Sequence, residues 1–180
     1  MTGFSQSDEH VVHELGRGIT FNELTLGTPT GARVQRQVIR HPGAVAVVPM
    51  IDASHALLVR QYRAAVDAEV LEIPAGMRDV PGEDPAVTAQ RELAEEVGQR
   101  AAQLKLLTVF WNAIGLSDES THVYLGTELS AVPVDRHGPE EEAMTLVAVN
   151  LTVVPTLVAN GELRDAKSIV GLLLARELQR

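Results

Sequence analysis

Three glutamates, Glu92, Glu95 and Glu96, stand in the run Arg91-Glu92-Leu93-Ala94-Glu95-Glu96-Val97-Gly98. On a helix, residues three and four apart share a face, so the three carboxylates line up, with Thr88 on the same side. Ala86, Ala89, Gln90, Leu93 and Val97 form an adjoining, mainly apolar arc that can be buried. Like charges at these spacings repel by about 0.2–0.5 kcal/mol per pair in an isolated helix. One compensator is Arg91, four residues before Glu95. Another is a bound cation, since clustered carboxylates are hard oxygen ligands suited to Mg²⁺ or Mn²⁺. Such an ion recruits phosphate oxygens, which would turn an acidic surface into a site for an anionic phosphate substrate. The alternative is a solvated acidic face on a surface helix.

The segment that carries these residues has clear helix punctuation. Asp84 suits an N-cap, Pro85 the first helical position, and Gly98 the C-terminal stop, which sets a helix over Pro85 to Val97. Strands are expected around it. His10 to Leu26 reads as extended segments broken near Gly16 and Gly18, and Gly27 to Gly31 reads as a turn. Further strands are expected over Arg33–Arg40, Ala44–Met50, Ala56–Tyr62, Leu104–Trp111, Thr121–Gly126 and Thr145–Asn150. A short strand over Val70–Pro74 runs into Ala75-Gly76. Asp135 to Glu142 reads as a charged loop, and two helices close the chain, around Val153–Asn160 and Ala166–Leu178. Strands early and few helices set between them indicate an α+β or mixed α/β class.

Composition narrows the functions. The chain has 180 residues, enough for one compact domain or one with a short appendage. Only 3% of residues are aromatic, so the core must be built from Val, Leu, Ile and Ala. No cysteine is present, which excludes disulfides, thiolate metal sites and a cysteine nucleophile. The net charge is −9 and no long basic run exists, so no nucleic-acid partner is expected. The apolar stretches are far shorter than the roughly 20 residues a bilayer span needs. Met1 to His10 lacks a basic start and an apolar run. No membrane partner is expected, and the default is a cytoplasmic protein. Of the six histidines, only His10 and His13 are closely spaced, and a solvated pair near a mobile terminus is expected there.

The order of residues around the acidic helix resembles the box of the Nudix hydrolases. That pattern is Gly, five residues, Glu, seven residues, Arg-Glu, an aliphatic, one residue, Glu-Glu, one residue, Gly and an aliphatic. Glu83, Arg91, Glu92, Leu93, Glu95, Glu96 and Gly98 match in type and spacing. Gly76 matches in type, with six residues before Glu83 in place of five, and Gln99 replaces the last aliphatic. The extra residue falls in the loop before the helix, where an insertion is cheap. Gln61-Tyr62-Arg63, Glu72-Ile73-Pro74-Ala75-Gly76, Gly115-Leu116-Ser117-Asp118-Glu119 and Glu140-Glu141-Glu142-Ala143-Met144-Thr145 are similar to the ADP-ribose pyrophosphatase branch. So is Gly43-Ala44-Val45-Ala46-Val47-Val48.

The resemblance implies an α/β/α sandwich of the Nudix fold, with a mixed central sheet, the box loop and helix, and an N-terminal strand extension. It implies residues 1–40 as that extension, acting in dimerisation, and 41–180 as the hydrolase domain, in a homodimer. The implied reaction is Mg²⁺- or Mn²⁺-dependent hydrolysis of the pyrophosphate of ADP-ribose or a related nucleoside diphosphate sugar, giving AMP (or another nucleoside monophosphate) and a sugar phosphate. Glu92 and Glu96 would be the main metal ligands, with Glu95 assisting and the main-chain carbonyl of Ala75 joining them. Arg91 would anchor the carboxylates. Glu83 would hold the loop–helix geometry or approach the metal through water. Gly76 and Gly98 would serve backbone geometry. Glu141, with Glu142 as the near alternative, would be the general base. Arg63 and Arg36 would pair with phosphates or the terminal ribose; a strand-end charge is the plain alternative for Arg63.

Two departures bear on the substrate. Asn112-Ala113-Ile114-Gly115 lacks the proline that often precedes the glycine of the branch's substrate loop. Base-stacking aromatics are scarce, and Phe21, Tyr62 and Trp111 are expected to serve packing. The competing functions are hydrolysis of another nucleotide sugar and a non-catalytic domain that senses ADP-ribose-like ligands. Such sensors can lose box carboxylates, whereas this chain retains all of them.

Overall fold

The computed structural model describes residues 3–179. Met1, Thr2 and Arg180, the outer ends of the two expected segments, lie outside the described residues. Two compact units are present, one of Met1–Gly43 with Trp111–Ser120, the other of Ala44–Phe110 with Thr121–Arg180.

In the first unit, β1 (Ser5–Gly16), β2 (Ile19–Gly27) and β3 (Arg33–Arg40) form an antiparallel three-stranded sheet. His10 and His13 therefore sit within a paired strand, not in a mobile terminus: they lie opposite Glu23 and Phe21 of β2. The stretch Trp111–Ser120 joins this unit through the backbone. Ile39 N donates to Leu116 O at 2.8 Å and Asp118 N to Ile39 O at 3.3 Å. Arg40 adds the charged staple, with Nε 2.7 Å from Glu9 Oε1 and Nη1 3.1 Å from Asp118 Oδ2. The Glu9 carboxyl is held down to about 2, chiefly by its bond to Arg40.

The second unit is layered. Its central sheet is mixed, in the order β7 (Ala75–Met77), β4 (Ala44–Pro49), β9 (Ser120–Ala131), β8 (Gln99–Trp111). β4 runs antiparallel to β7 and parallel to β9. A second antiparallel sheet takes the order β10 (Thr145–Asn150), β5 (His55–Arg63), β6 (Ala68–Glu72). The Val-rich β4 is buried on both faces, as its near-continuous apolar run implies. Val45 and Val47 pack with Tyr124 against Ala89, Leu93 and Val97 of α1 (Pro85–Val97). Ala46 and Val48 pack with Val123 against Leu172 and Ala175 of α4 (Ala166–Leu178). The alternation along one strand thus places a helix on each face, the sandwich the resemblance implied. Among the described residues no helix is long and apolar enough to cross a membrane.

Most elements match the expected spans, α1, α4, β3 and β10 residue for residue, and the helix expected around Val153–Asn160 is α3 (Val154–Ala159). Three differ. The strand expected over Val70–Pro74 ends at Glu72: Pro74 cannot extend a ladder through a donor of its own, and the chain crosses from β6 to β7 in another sheet. Within the expected loop at Asp135–Glu142, Pro139–Glu142 forms one helical turn, α2, followed by Met144 buried against α1's cluster. The packing expected of the aromatics fails for Tyr62 and Trp111, which are 44% and 66% exposed.

The helix that carries the acidic run ends as its punctuation requires. Asp84 Oδ1 accepts from Ala86 N at 2.8 Å. Gly98 turns left-handed, with φ of 64°, and its N–H bonds to Ala94 O. A Cβ there would stand 2.7 Å from Val134 Cγ2 and 3.1 Å from Val132 O. Gly98→Ala should therefore cost at least about 1–2 kcal/mol through the left-handed conformation alone. A urea titration checks it: the midpoint falls while the slope stays unchanged.

Candidate active site

Burial on α1 extends to the acidic face. Glu96 is 4% exposed and Thr88 fully buried, so this is not a solvated stripe. β7 lies directly over the carboxylates. Ala75 N donates to Glu96 Oε2 at 3.1 Å. A Cβ on Gly76 would fall 2.0 Å from Glu92 Cδ, so only a glycine lets the strand approach that close. Burial pushes the Glu96 carboxyl up to about 8, against the Ala75 N–H, with Glu92 and Glu141 adding repulsion. Burial likewise raises Glu92 to about 7; Arg91 opposes the shift, and Glu95 and Glu141 reinforce it.

Arg91 gathers the box acids. Its Nη1 donates to Glu92 Oε1 at 2.8 Å and to Glu95 Oε2 at 3.2 Å. Its Nη2 lies 3.5 Å from Asp79 Oδ1 and 3.8 Å from Glu83 Oε2. Burial alone would weaken this cation, but the surrounding acids outweigh it and raise its pKa. Glu83 Oε2 also accepts from Thr88 Oγ1 at 2.7 Å, which ties the loop to the first turn of α1. Asp79, absent from the expected set, thus joins the box through Arg91.

Glu141 and Glu142 separate in space. Glu142 is exposed, whereas Glu141 is partly buried and its charge acts on both Glu92 and Glu96. Glu141 Oε2 accepts from His137 N at 2.7 Å. Arg136 holds this segment against α1: its Nε donates to Glu96 O at 3.0 Å and its Nη1 to Met144 O at 2.9 Å. A guanidinium on the last carbonyls of a helix also suits the helix dipole. Nothing in local spacing marks Arg136, because its partners are backbone atoms distant in sequence.

Arg63 ends β5 with its fork on a buried acid. Nε and Nη2 lie 2.7 Å from Glu72 Oε1 and Oε2. Lys167 Nζ also bonds Glu72 Oε2 and lies 3.0 Å from Asp165 Oδ1. Burial would raise the Glu72 carboxyl; Arg63 and Lys167 outweigh it and hold it below the usual range. Arg63 also feels the charge of Glu96, which places it in the electrostatic reach of the carboxylates. Arg36 is on β3 in the other unit, exposed, with Nη1 donating to Gln35 O at 2.7 Å.

The donor set fits a hard divalent cation. Two carboxylates, Glu96 buried and Glu92 partly so, resist ionisation, and a backbone strand with no side chain at Gly76 lies over them. Among the described residues no three acidic or histidine side chains are already gathered as a ligand cage. Arg91 provides the positive charge between Glu92 and Glu95 instead. A groove of about 780 Å³ runs along the far side of α1, bounded by Val87, Ala94, Ala101 and Val132. Its lining includes Arg91 but none of Glu92, Glu96, Glu141 or Arg63.

A family model described as "NUDIX domain" matches residues 40–169. Among characterised proteins, the ADP-ribose pyrophosphatase of Bacillus subtilis is 39% identical over 140 residues, covering 78% of this chain and 75% of that protein. The ADP-ribose pyrophosphatase of Mycobacterium tuberculosis is 41% identical over 145 residues, covering 81% and 70%. A crystal structure of an ADP compounds hydrolase superposes with a TM-score of 0.84 at 25% identity, over 97% of this chain and 93% of that one.

The raised carboxyls predict a pH signature. Their folded pKa values lie above the ordinary 4.5, so the folded chain holds more protons than the unfolded one between about pH 4.5 and 8. Their contribution to stability is full below that window and is lost as pH rises through it. In a chelator, Glu96→Gln should melt above the wild type at pH 8.5, and the gap should close towards pH 5. Paired thermal melts across that range check this, and a gap that does not change with pH would contradict the burial of Glu96 as an acid.

Proposed function

This chain belongs to the Nudix family, and on that premise we propose that it hydrolyses the pyrophosphate of ADP-ribose, giving AMP and ribose 5-phosphate. The observation that carries the reading is the pair Glu92 and Glu96 against the Ala75–Gly76 strand, with the charge of Glu141 acting on both. Pyrophosphatases that act on ADP-ribose are among its relatives at 39% and 41% identity.

Glu92 and Glu96, with Glu95 beside them and the carbonyl of Ala75, would hold the divalent cation, for which we propose Mg²⁺. When bound, that ion offsets their charge and acts as a Lewis acid on phosphoryl oxygen. Arg91 positions the carboxylates, since its guanidinium already bonds Glu92 and Glu95. Arg63 binds phosphate. Its Nε–Nη2 edge is taken by Glu72, which leaves the Nη1 side of the fork for a second bidentate partner. Glu141 takes the proton of the attacking water as a bond forms from its oxygen to phosphorus and the anhydride P–O bond breaks. Release from His137 N frees the carboxylate for that role. Glu142, which is exposed, is the weaker candidate. Arg36 remains a candidate for the ribose end.

The three-stranded N-terminal sheet is proposed as the dimerisation element. Its outer strand exposes Val11, Val12 and Leu15 at 51%, 52% and 55%, apolar surface that a second copy would cover. Light scattering on the purified protein should return about twice the 19.4 kDa chain mass; a monomer at micromolar concentration would remove this part of the reading.

Hydrolysis of ADP-ribose with and without Mg²⁺, products resolved by chromatography, tests the function. AMP and ribose 5-phosphate should appear only with metal. Glu141→Gln should lower kcat by roughly 10²–10⁴-fold with a smaller change in KM. Turnover of a different nucleotide sugar in place of ADP-ribose would retain the chemistry and change the substrate. Tight ADP-ribose binding without turnover would favour the sensor.

A further inference from the structure

The cation at the start of α4 has no part in the chemistry above. Lys167 is the second residue of that helix, two residues after the cap residue Asp165. A positive charge in a first helical turn opposes the helix dipole, so its presence there needs a local reason. Its side chain is only 15% exposed, and burial of an ammonium is itself unfavourable without partners. Both costs are met by acids: Glu72, 2% exposed, and Asp165.

Glu72 in turn holds the Arg63 fork through both of its oxygens, and the fork alone does not fix it. A carboxylate and a guanidinium joined by two bonds can still swing together about the carboxylate's own side-chain torsions. Lys167 removes that freedom, because it anchors Glu72 Oε2 from an independent element. Lys167 is itself anchored. Asp165 Oδ2 accepts from Ser168 N at 2.9 Å and Ser168 Oγ at 2.5 Å, and Ser168 Oγ accepts from Ile73 N at 2.8 Å. The first turn of α4 thus grips two consecutive residues, Glu72 by side chain and Ile73 by backbone. The four charges, Arg63, Lys167, Glu72 and Asp165, sum to zero. Without Lys167 the two acids would face each other with one guanidinium between them and the solvent.

We propose that Lys167 is a positioning residue for substrate binding: through Glu72 it fixes the guanidinium of Arg63, so that the arginine meets phosphate without first having to be ordered. This rests on the reading of Arg63 as the phosphate ligand. An arginine ordered in advance loses less freedom on binding, so the loss of Lys167 falls on KM more than on kcat.

Two measurements test it, one of them independent of any substrate. In a ¹⁵N-labelled protein the Nε–Hε signal of Arg63, assigned by its disappearance in Arg63→Lys, should be sharp and slow to exchange in the wild type. It should broaden or vanish in Lys167→Met and return in Lys167→Arg, which retains the charge. In ADP-ribose hydrolysis, Lys167→Met should raise KM by roughly tenfold or more, with a smaller change in kcat and recovery in Lys167→Arg. The same substitution made in an Arg63→Ala background should add less than twofold, because its effect runs through the arginine. An Arg63 signal unchanged in Lys167→Met would overturn the proposal. So would an equal rise in KM with and without Arg63, which would mark Lys167 as acting on the fold or on substrate directly. A KM unmoved by Arg63→Ala would instead overturn the phosphate role of Arg63, and the NMR signal would still decide whether Lys167 holds it.

Discussion

Two carboxylates one helical turn apart, pressed beneath a strand, are the constraint from which the rest of the second unit follows. Glu92 and Glu96 lose water on burial, Glu141 repels both and Glu92 repels Glu96, and both acids hold their protons well above the ordinary range as a result. A core that wanted only stability would place apolar residues there. The side chains around the pair are understandable as responses to this charge. Arg91 spans Glu92 and Glu95, Asp79 and Glu83 steady Arg91, and the Ala75 N–H meets Glu96. The absent side chain at Gly76 belongs to the same solution, since any Cβ would occupy the space of the Glu92 carboxylate.

The segment from Glu72 to Met77 is held on both sides for this reason. α1 meets it through Glu96, and α4 meets it through Lys167 and Ser168. Val47 N donates to Pro74 O at 2.9 Å and keeps the crossover against the central sheet. β4 makes this possible by burying both of its faces, which puts one helix above and one below the same few residues. The position of the Ala75 carbonyl relative to the α1 carboxylates is thereby a property of the whole sandwich and not of the loop alone. A rigid scaffold of this kind is what a site needs when its geometry must be set before substrate arrives.

Local chemistry was readable wherever the partners are close in the chain. The cap at Asp84, the proline at position 85 and the left-handed Gly98 delimit α1 to the residue, because helix ends are decided by a few adjacent backbone groups. The box acids were legible for the same reason: their spacing is the helix period. The strand expected over Val70–Pro74 overran its end at Glu72, because Pro74 moves the chain between sheets. The single turn at Pro139–Glu142 was hidden among charged residues, and its anchor, Met144, is recognisable only from what it packs against. The exposure of Trp111 at 66% likewise depends on what lies near it in space, on which its residue type is silent.

Sequence alone therefore determined the family, the Val-rich strand β4, the extent of α1 and the identity of the box carboxylates, because these follow from residue type, periodicity and groups within a turn of one another. Only the tertiary structure decided which acids lose water, since desolvation is set by the strand that covers them. It set Glu141, whose charge acts on Glu92 and Glu96, apart from the exposed Glu142, and it joined Arg63 and Lys167 through Glu72, which lies 95 residues from Lys167. It also revealed Arg136, whose ligands are carbonyl oxygens that every residue possesses and no sequence pattern can single out. Interactions that depend on side-chain type and short spacing are written in the chain. Those that depend on burial and on backbone atoms brought together from afar exist only once the sandwich has closed.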